Sequence, residues 1–196
     1  MQVQRRDPPD RLDRILDLVR EHVPDLRLVL KRDDPGMRAL GRLLAPVTPR
    51  FQTHFTTVVG RTVYLPRPVQ DFPRDGLAMT LAHELVHQLD QRRWGPLFYG
   101  SYAVALPVGR TARAHWERRA YAVDLVLMHH DGGEAWMTRR LERLVDLFAG
   151  PAYGWMWAGR AAARAFLEPV ADQVRAGTLQ EQSPYREILE AWRGPG

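Results

Sequence analysis

The sequence predicts an α+β fold, with a small N-terminal sheet, a long helix behind it and a mostly helical C-terminal half. Three observations predict it. The short strand-like runs, Leu26–Lys31, Gln52–Val59 and Arg61–Leu65, all fall before residue 66. Leu77–Asp90 follows them as an uninterrupted helical pattern. Everything after residue 110 reads as helices. With 196 residues, no internal repeat and no linker-like tract, one domain spanning 1–196 is expected. Its parts are a sheet and central-helix region over 1–110 and a helical region over 111–196.

In chain order, Asp10 to Val23 is an amphipathic helix, with Leu12, Ile15, Leu16 and Val19 on one face and Pro24 at its end. Leu26–Lys31 is the first strand. Asp33-Asp34-Pro35-Gly36 is a turn into a short helix, Met37 to Ala45, closed by Pro46. Gln52–Val59 and Arg61–Leu65 form a hairpin around Gly60-Arg61. Pro66 and Pro68 stop the second of these strands and predict that it lies at a sheet edge. Asp75 is expected to cap the helix Leu77–Asp90, in which Leu77, Leu81, Leu85 and Leu89 form a buried stripe. An aromatic loop spans 94–107. A helix from about Ala112 to His130 follows, with Thr111 as its cap, and Asp131-Gly132-Gly133 breaks it. Glu134 to Ala149 is a further helix. The stretch from Gly150-Pro151 to Ala176 is mostly helical, and Ser183-Pro184 opens a last helix to about Trp192.

The chemistry concentrates in His83-Glu84-Leu85-Val86-His87. On a helix His83 and His87 lie one turn apart on one face, so both imidazoles reach a common metal ion. Glu84 sits about 100° around the axis. From there it addresses a water bound to that ion and serves as general base. Two histidines leave the ligand set incomplete. Glu117, 30 positions after His87 on the next helix, is the first candidate for the third ligand, and His115 is its rival. The two lie about 200° apart on their helix, so only one faces the metal.

His83-Glu84-x-x-His87 followed by Glu117-x-x-Ala120 resembles the gluzincin group of zincin metallopeptidases, over roughly residues 54–130. Gln88-Leu89-Asp90 is similar to the continuation in some small, single-domain bacterial members. The resemblance implies Zn2+ held by His83, His87 and Glu117, with Glu84 as base. It also implies an edge strand before the motif helix that pairs with an extended substrate, and Arg61–Leu65 stands in that position. Many gluzincins carry an acid four residues after the ligand glutamate to orient a ligand histidine. This chain has Tyr121 there, leaving Asp124 and Asp90 as candidates for that task. Tyr99, Tyr102, Tyr121 and Tyr153 are candidates to stabilise an oxyanion.

The expected function is therefore zinc-dependent hydrolysis of peptide bonds in a peptide or protein substrate. The alternative is a catalytically silent zincin-like regulatory or interaction module. A third reading, a protease recruited to DNA, draws on the formal charge of +5. It is opposed by arginines spread among acids, as in Arg139-Arg140-Leu141-Glu142-Arg143, which describe a solvated helix face. Lys31 is the only lysine, and there is no cysteine, which excludes disulfides and thiolate-bound zinc. No apolar run approaches a membrane span, and residues 1–9 lack the apolar core of a secretory signal, so a cytoplasmic location is expected.

Overall fold

The computed structural model describes residues 10–46, 50–103, 112–151, 156–157 and 159–195. Among these, a three-stranded sheet packs against a mainly helical body. Helix α1, Arg11–His22, is capped by the Asp10 carboxylate, which accepts from the Asp13 amide, and it buries Leu12, Ile15 and Val19. Strand β1, Arg27–Leu30, leads through a 3-10 turn at Lys31–Asp33 into α2, Pro35–Leu44. Asp34 caps α2 and Pro35 opens it. A single helical turn, α3 at Phe51–His54, takes the place of the first half of the strand expected over Gln52–Val59, so β2 is only Thr57–Val59. Gly60, at φ +57°, makes the Gly-X turn into β3, Thr62–Leu65.

The strand order is β1-β3-β2. β3 runs parallel to β1, with Arg27 opposite Thr62, and antiparallel to β2, with Val58 opposite Val63. The strand before the long helix is thus the middle strand, not the expected edge. Pro66 and Pro68 end β3, but a proline removes only its own amide, and both lie beyond the last paired residue, Leu65. The outer edges of the sheet belong to β1 and β2.

Helix α4 spans Arg74–Trp94, beyond both ends of the expected Leu77–Asp90 run. Its N-cap position is Pro73, and Asp75 sits in its first turn. Its burial goes beyond the leucine stripe. Leu77, Ala78, Leu81, Ala82, Leu85 and Val86 are at most 1% exposed, and Gln88, Asp90 and Gln91 are buried too. The reason is that α4 is packed by α1, by the β2 strand, by α5 (Pro96–Ala103) and by α6 (Ala112–Ala149). α5 falls within the stretch expected to be a loop, while Pro107, Gly109 and the proposed cap Thr111 lie outside the described residues.

The two helices expected on either side of Asp131-Gly132-Gly133 are the limbs of α6. They meet at a kink where Gly133 takes φ +62° and ψ −160°, a backbone region that favours glycine. α7, Arg160–Arg175, packs on α6, and α8, Tyr185–Arg193, packs on α1 and α6. Trp192 of α8 is buried, and its indole N–H donates to Asp131, which also receives Arg11 of α1 at 3.0 Å. This contact ties the kink, the first helix and the last together. No helix of the described residues is long and apolar enough to cross a membrane.

Candidate metal centre

His83 and His87 project from the middle of α4, and Glu117 projects from the first limb of α6, which packs on α4. All three are buried, at 9%, 4% and 2% exposure. One ligand atom from each lies within 4.8 Å of the others, forming a group able to hold a metal ion. Glu117 Oε2 is 3.7 Å from His83 Nε2 and 3.8 Å from His87 Nε2. Those separations exceed a hydrogen bond. They match two atoms that share a metal instead: ligands about 2.1 Å from a tetrahedral centre stand about 3.4 Å apart.

The donor set passes a second test. Among the described residues Glu117 Oε2 is a buried atom with no hydrogen-bond partner, and so is His87 Nδ1. Leaving a buried carboxylate oxygen unpaired costs on the order of 1–3 kcal/mol, unless an ion takes the position it faces. The other oxygen, Oε1, accepts a short hydrogen bond from the Tyr102 hydroxyl.

Electrostatics within the cluster are strong because water is excluded. Burial and the neighbouring His87 depress the His83 pKa to about 3, which keeps that imidazole neutral and available as a ligand. Burial also resists charge on His87, but Glu117 and Glu84 outweigh it and raise its pKa. For Glu117, burial is outweighed by the two imidazoles, and its pKa falls to about 2, so it is a carboxylate at neutral pH. Glu84 stands apart. Burial, reinforced by Glu117 and opposed by His87 and Lys31, pushes its pKa up to about 7. It is 5% exposed, and its carboxyl makes no hydrogen bond among the described residues. An acid poised near neutrality and held by no partner is suited to moving a proton.

His115 is absent from this group. It is exposed and packs edge-on against Phe166 at 5.0 Å. Tyr121 lies edge-on to the His83 ring at 4.4 Å. The two acids considered for orienting a histidine are engaged elsewhere. Asp90 binds Arg119 at 3.1 Å, and Asp124 accepts from Arg140 Nε at 2.9 Å. Of the tyrosines, Tyr99 donates to Gln91 and Tyr102 to Glu117, while Tyr153 lies outside the described residues.

Sequence reasoning did not find the Tyr102–Glu117 contact or the surroundings of Lys31. That lysine is fully buried at the end of β1, donates to the Phe51 carbonyl at 3.1 Å and lies over the Phe51 ring. Its uniqueness in the chain was the one available signal. Two clefts flank the sheet, of about 300 and 430 Å³, and neither is lined by the cluster. No family model matches the chain, no curated protein matches it in sequence, and no solved structure matches its fold.

Proposed function

We propose that the chain is a zinc-dependent peptide hydrolase of the zincin type. The observation that carries this reading is Oε2 of Glu117, without a hydrogen bond among the described residues and nearly equidistant from two imidazole nitrogens, next to the buried Glu84. Two histidines and a glutamate are a catalytic zinc set, complete with three protein ligands and one position to spare. Two imidazoles and a carboxylate, with no thiolate in the chain, are donors that suit zinc; the same set also holds Fe(II), and metal analysis of the purified protein distinguishes the two.

When bound, zinc supplies Lewis acidity toward a peptide carbonyl and an acidified water. His83 and His87 contribute neutral donors to it, and Glu117 contributes the negative charge. Glu84 accepts the proton of the attacking water at its carboxylate and returns it to the departing amine. Its pKa near 7 suits both transfers at neutral pH.

The test is metal content and peptide hydrolysis in three proteins. Wild type is expected to hold about one zinc per chain. His83→Ala is expected to lose it. Glu84→Gln is expected to keep the metal and lose on the order of 10²–10⁴ in rate. Equal rates in wild type and Glu84→Gln, or a metal-loaded wild type inert toward a diverse peptide library, would defeat the hydrolase reading.

A further inference from the structure

On the reading of this cluster as a metal centre, we propose that Tyr102 is a positioning residue that makes Glu117 bind through one oxygen and so keeps a coordination position open. A carboxylate has two oxygens and can present both to one ion. Here they are differentiated before any ion arrives. Oε1 accepts the Tyr102 hydroxyl, and Oε2 has no partner and faces both imidazole nitrogens.

The hydroxyl is itself fixed by packing. The Tyr102 ring stacks on Phe98 at 5.4 Å with planes 24° apart, and stands edge-on to His87 at 6.0 Å. Helix α5, which carries both rings, is pinned at each side. Its start is folded back on α4 by Gly95, at φ +50°, with the Gly95 amide on Gln91 and the Phe98 amide on Gly95. Its far end is held to α6 where the indole of Trp116 donates to Ser101 at 3.0 Å. Trp116 and Ser101 are the sequence neighbours of Glu117 and Tyr102, so the same two turns of helix hold both contacts. α5 thus works as a brace between the two helices that carry the ligands.

The consequence is chemical. With three single-atom donors a tetrahedral ion retains one position for water or substrate. With both oxygens of Glu117 engaged, that position is compromised. A hydrogen bond from outside the ligand shell decides between the two, and such partners typically contribute 10–100-fold to metal affinity.

The experiment is a Co2+ and Zn2+ titration of the whole chain as wild type, Tyr102→Phe, Tyr99→Phe, Glu117→Ala and the double variant Glu117→Ala/Tyr102→Phe. The optical spectrum of the cobalt form is recorded at saturation. Tyr102→Phe keeps the stacked ring and removes only the hydroxyl. It is expected to weaken binding about 10–100-fold and to convert the intense visible bands of four-coordinate cobalt into the weaker bands of a five-coordinate ion. Tyr99→Phe, on the same helix as Tyr102 but with its hydroxyl donating to Gln91 of α4, is expected to match wild type in both. In the Glu117→Ala background, loss of the Tyr102 hydroxyl is expected to cost nothing more, since the effect passes through Glu117. Wild-type affinity and spectrum in Tyr102→Phe would overturn the proposal. So would an equal loss with and without Glu117, which would reveal a general packing role and would be visible even if Tyr102→Phe were poorly folded. The titration does not depend on turnover: a wild type that binds metal but cleaves no peptide ends the hydrolase reading, and the same titration still decides on Tyr102. A wild type that binds no metal overturns both.

Discussion

Glu84 should destabilise the protein that depends on it, and the size of the effect can be worked from its surroundings. The residue is 5% exposed, its carboxyl has no hydrogen-bond partner among the described residues, and its pKa stands at about 7 against an ordinary 4.5. A raised acid is held in its neutral form by the fold. Below pH 4.5 both folded and unfolded chains carry it neutral, and it costs nothing. Between 4.5 and about 7 the unfolded chain ionises and the folded chain does not, so stability drains away as pH rises, and above about 7 the loss is complete. At about 1.4 kcal/mol per pKa unit, the full loss is on the order of 3 kcal/mol. Glutamine has the same shape and no charge. Metal-free Glu84→Gln should therefore match wild type at pH 4.5 and exceed it by about 3 kcal/mol at pH 8, which for a chain of this size is roughly 6–12 °C in Tm. The assay is thermal and urea unfolding of both chelator-treated proteins from pH 4.5 to 9. A difference that is absent at pH 8, or that is constant across the range, would refute the reasoning. Bound metal should shrink the gain, because a nearby cation favours the ionised carboxylate.

Three further outcomes are expected. Glu117→Ala should weaken metal binding while His115→Ala leaves it unchanged, checked by isothermal titration with Zn2+. The reverse pattern would move the third ligand to His115. His87→Ala should bind metal as poorly as His83→Ala, since each supplies one of the two nitrogens that face Glu117 Oε2. Gly133→Ala should cost about 1–3 kcal/mol by forcing a side chain into the kink's backbone conformation. Space around that position is open, so the cost is one of backbone strain, and an unchanged unfolding midpoint would show that α6 can straighten there.

Much of this arrangement was legible in the sequence because it depends on helical spacing. The one-turn interval between His83 and His87, and the aromatic stretch that lets the chain return, make Glu117 the first candidate to meet them and leave His115 as its rival; the fold brings Glu117 to them. The α+β division was legible from where the β-branched runs stop. The sheet order was not. Two prolines after Leu65 describe where β3 ends, whereas its neighbours are chosen by β1, more than 30 residues earlier in the chain. The sequence predicts a loop over α5 because its glycine and tyrosines carry no helical period, and its helix is held by contacts with α4 and α6 rather than by propensity. Gln88 and Gln91 make contacts that have no signal in the sequence. In the fold they are buried and bind the hairpin, Gln88 donating to Gly60 at 3.1 Å and Gln91 to Val58 at 3.0 Å.

Asp90 and Asp124, the acids the sequence offers for orienting a histidine, show what the site requires of its scaffold. Asp90 follows His87 by three residues on α4, and its partner Arg119 follows Glu117 by two on α6. Their ion pair bridges the two ligand-bearing helices beside the cluster. Arg119 is held in turn from behind, where the Tyr185 hydroxyl of α8 donates to its carbonyl at 2.9 Å. Asp124, one turn further along α6, binds Arg140 from the second limb and so stiffens the helix across the Gly133 kink. A pair with one exposed partner contributes little to stability, but a ligand atom misplaced by 1 Å forfeits its metal. Three donors held within 4.8 Å of one another on two separate helices need those helices locked in angle and register. The charges placed along α4 and α6 serve that geometry: they hold Glu117 over His83 and His87, while the carboxyl of Glu84, unlike that of Asp90, makes no hydrogen bond among the described residues.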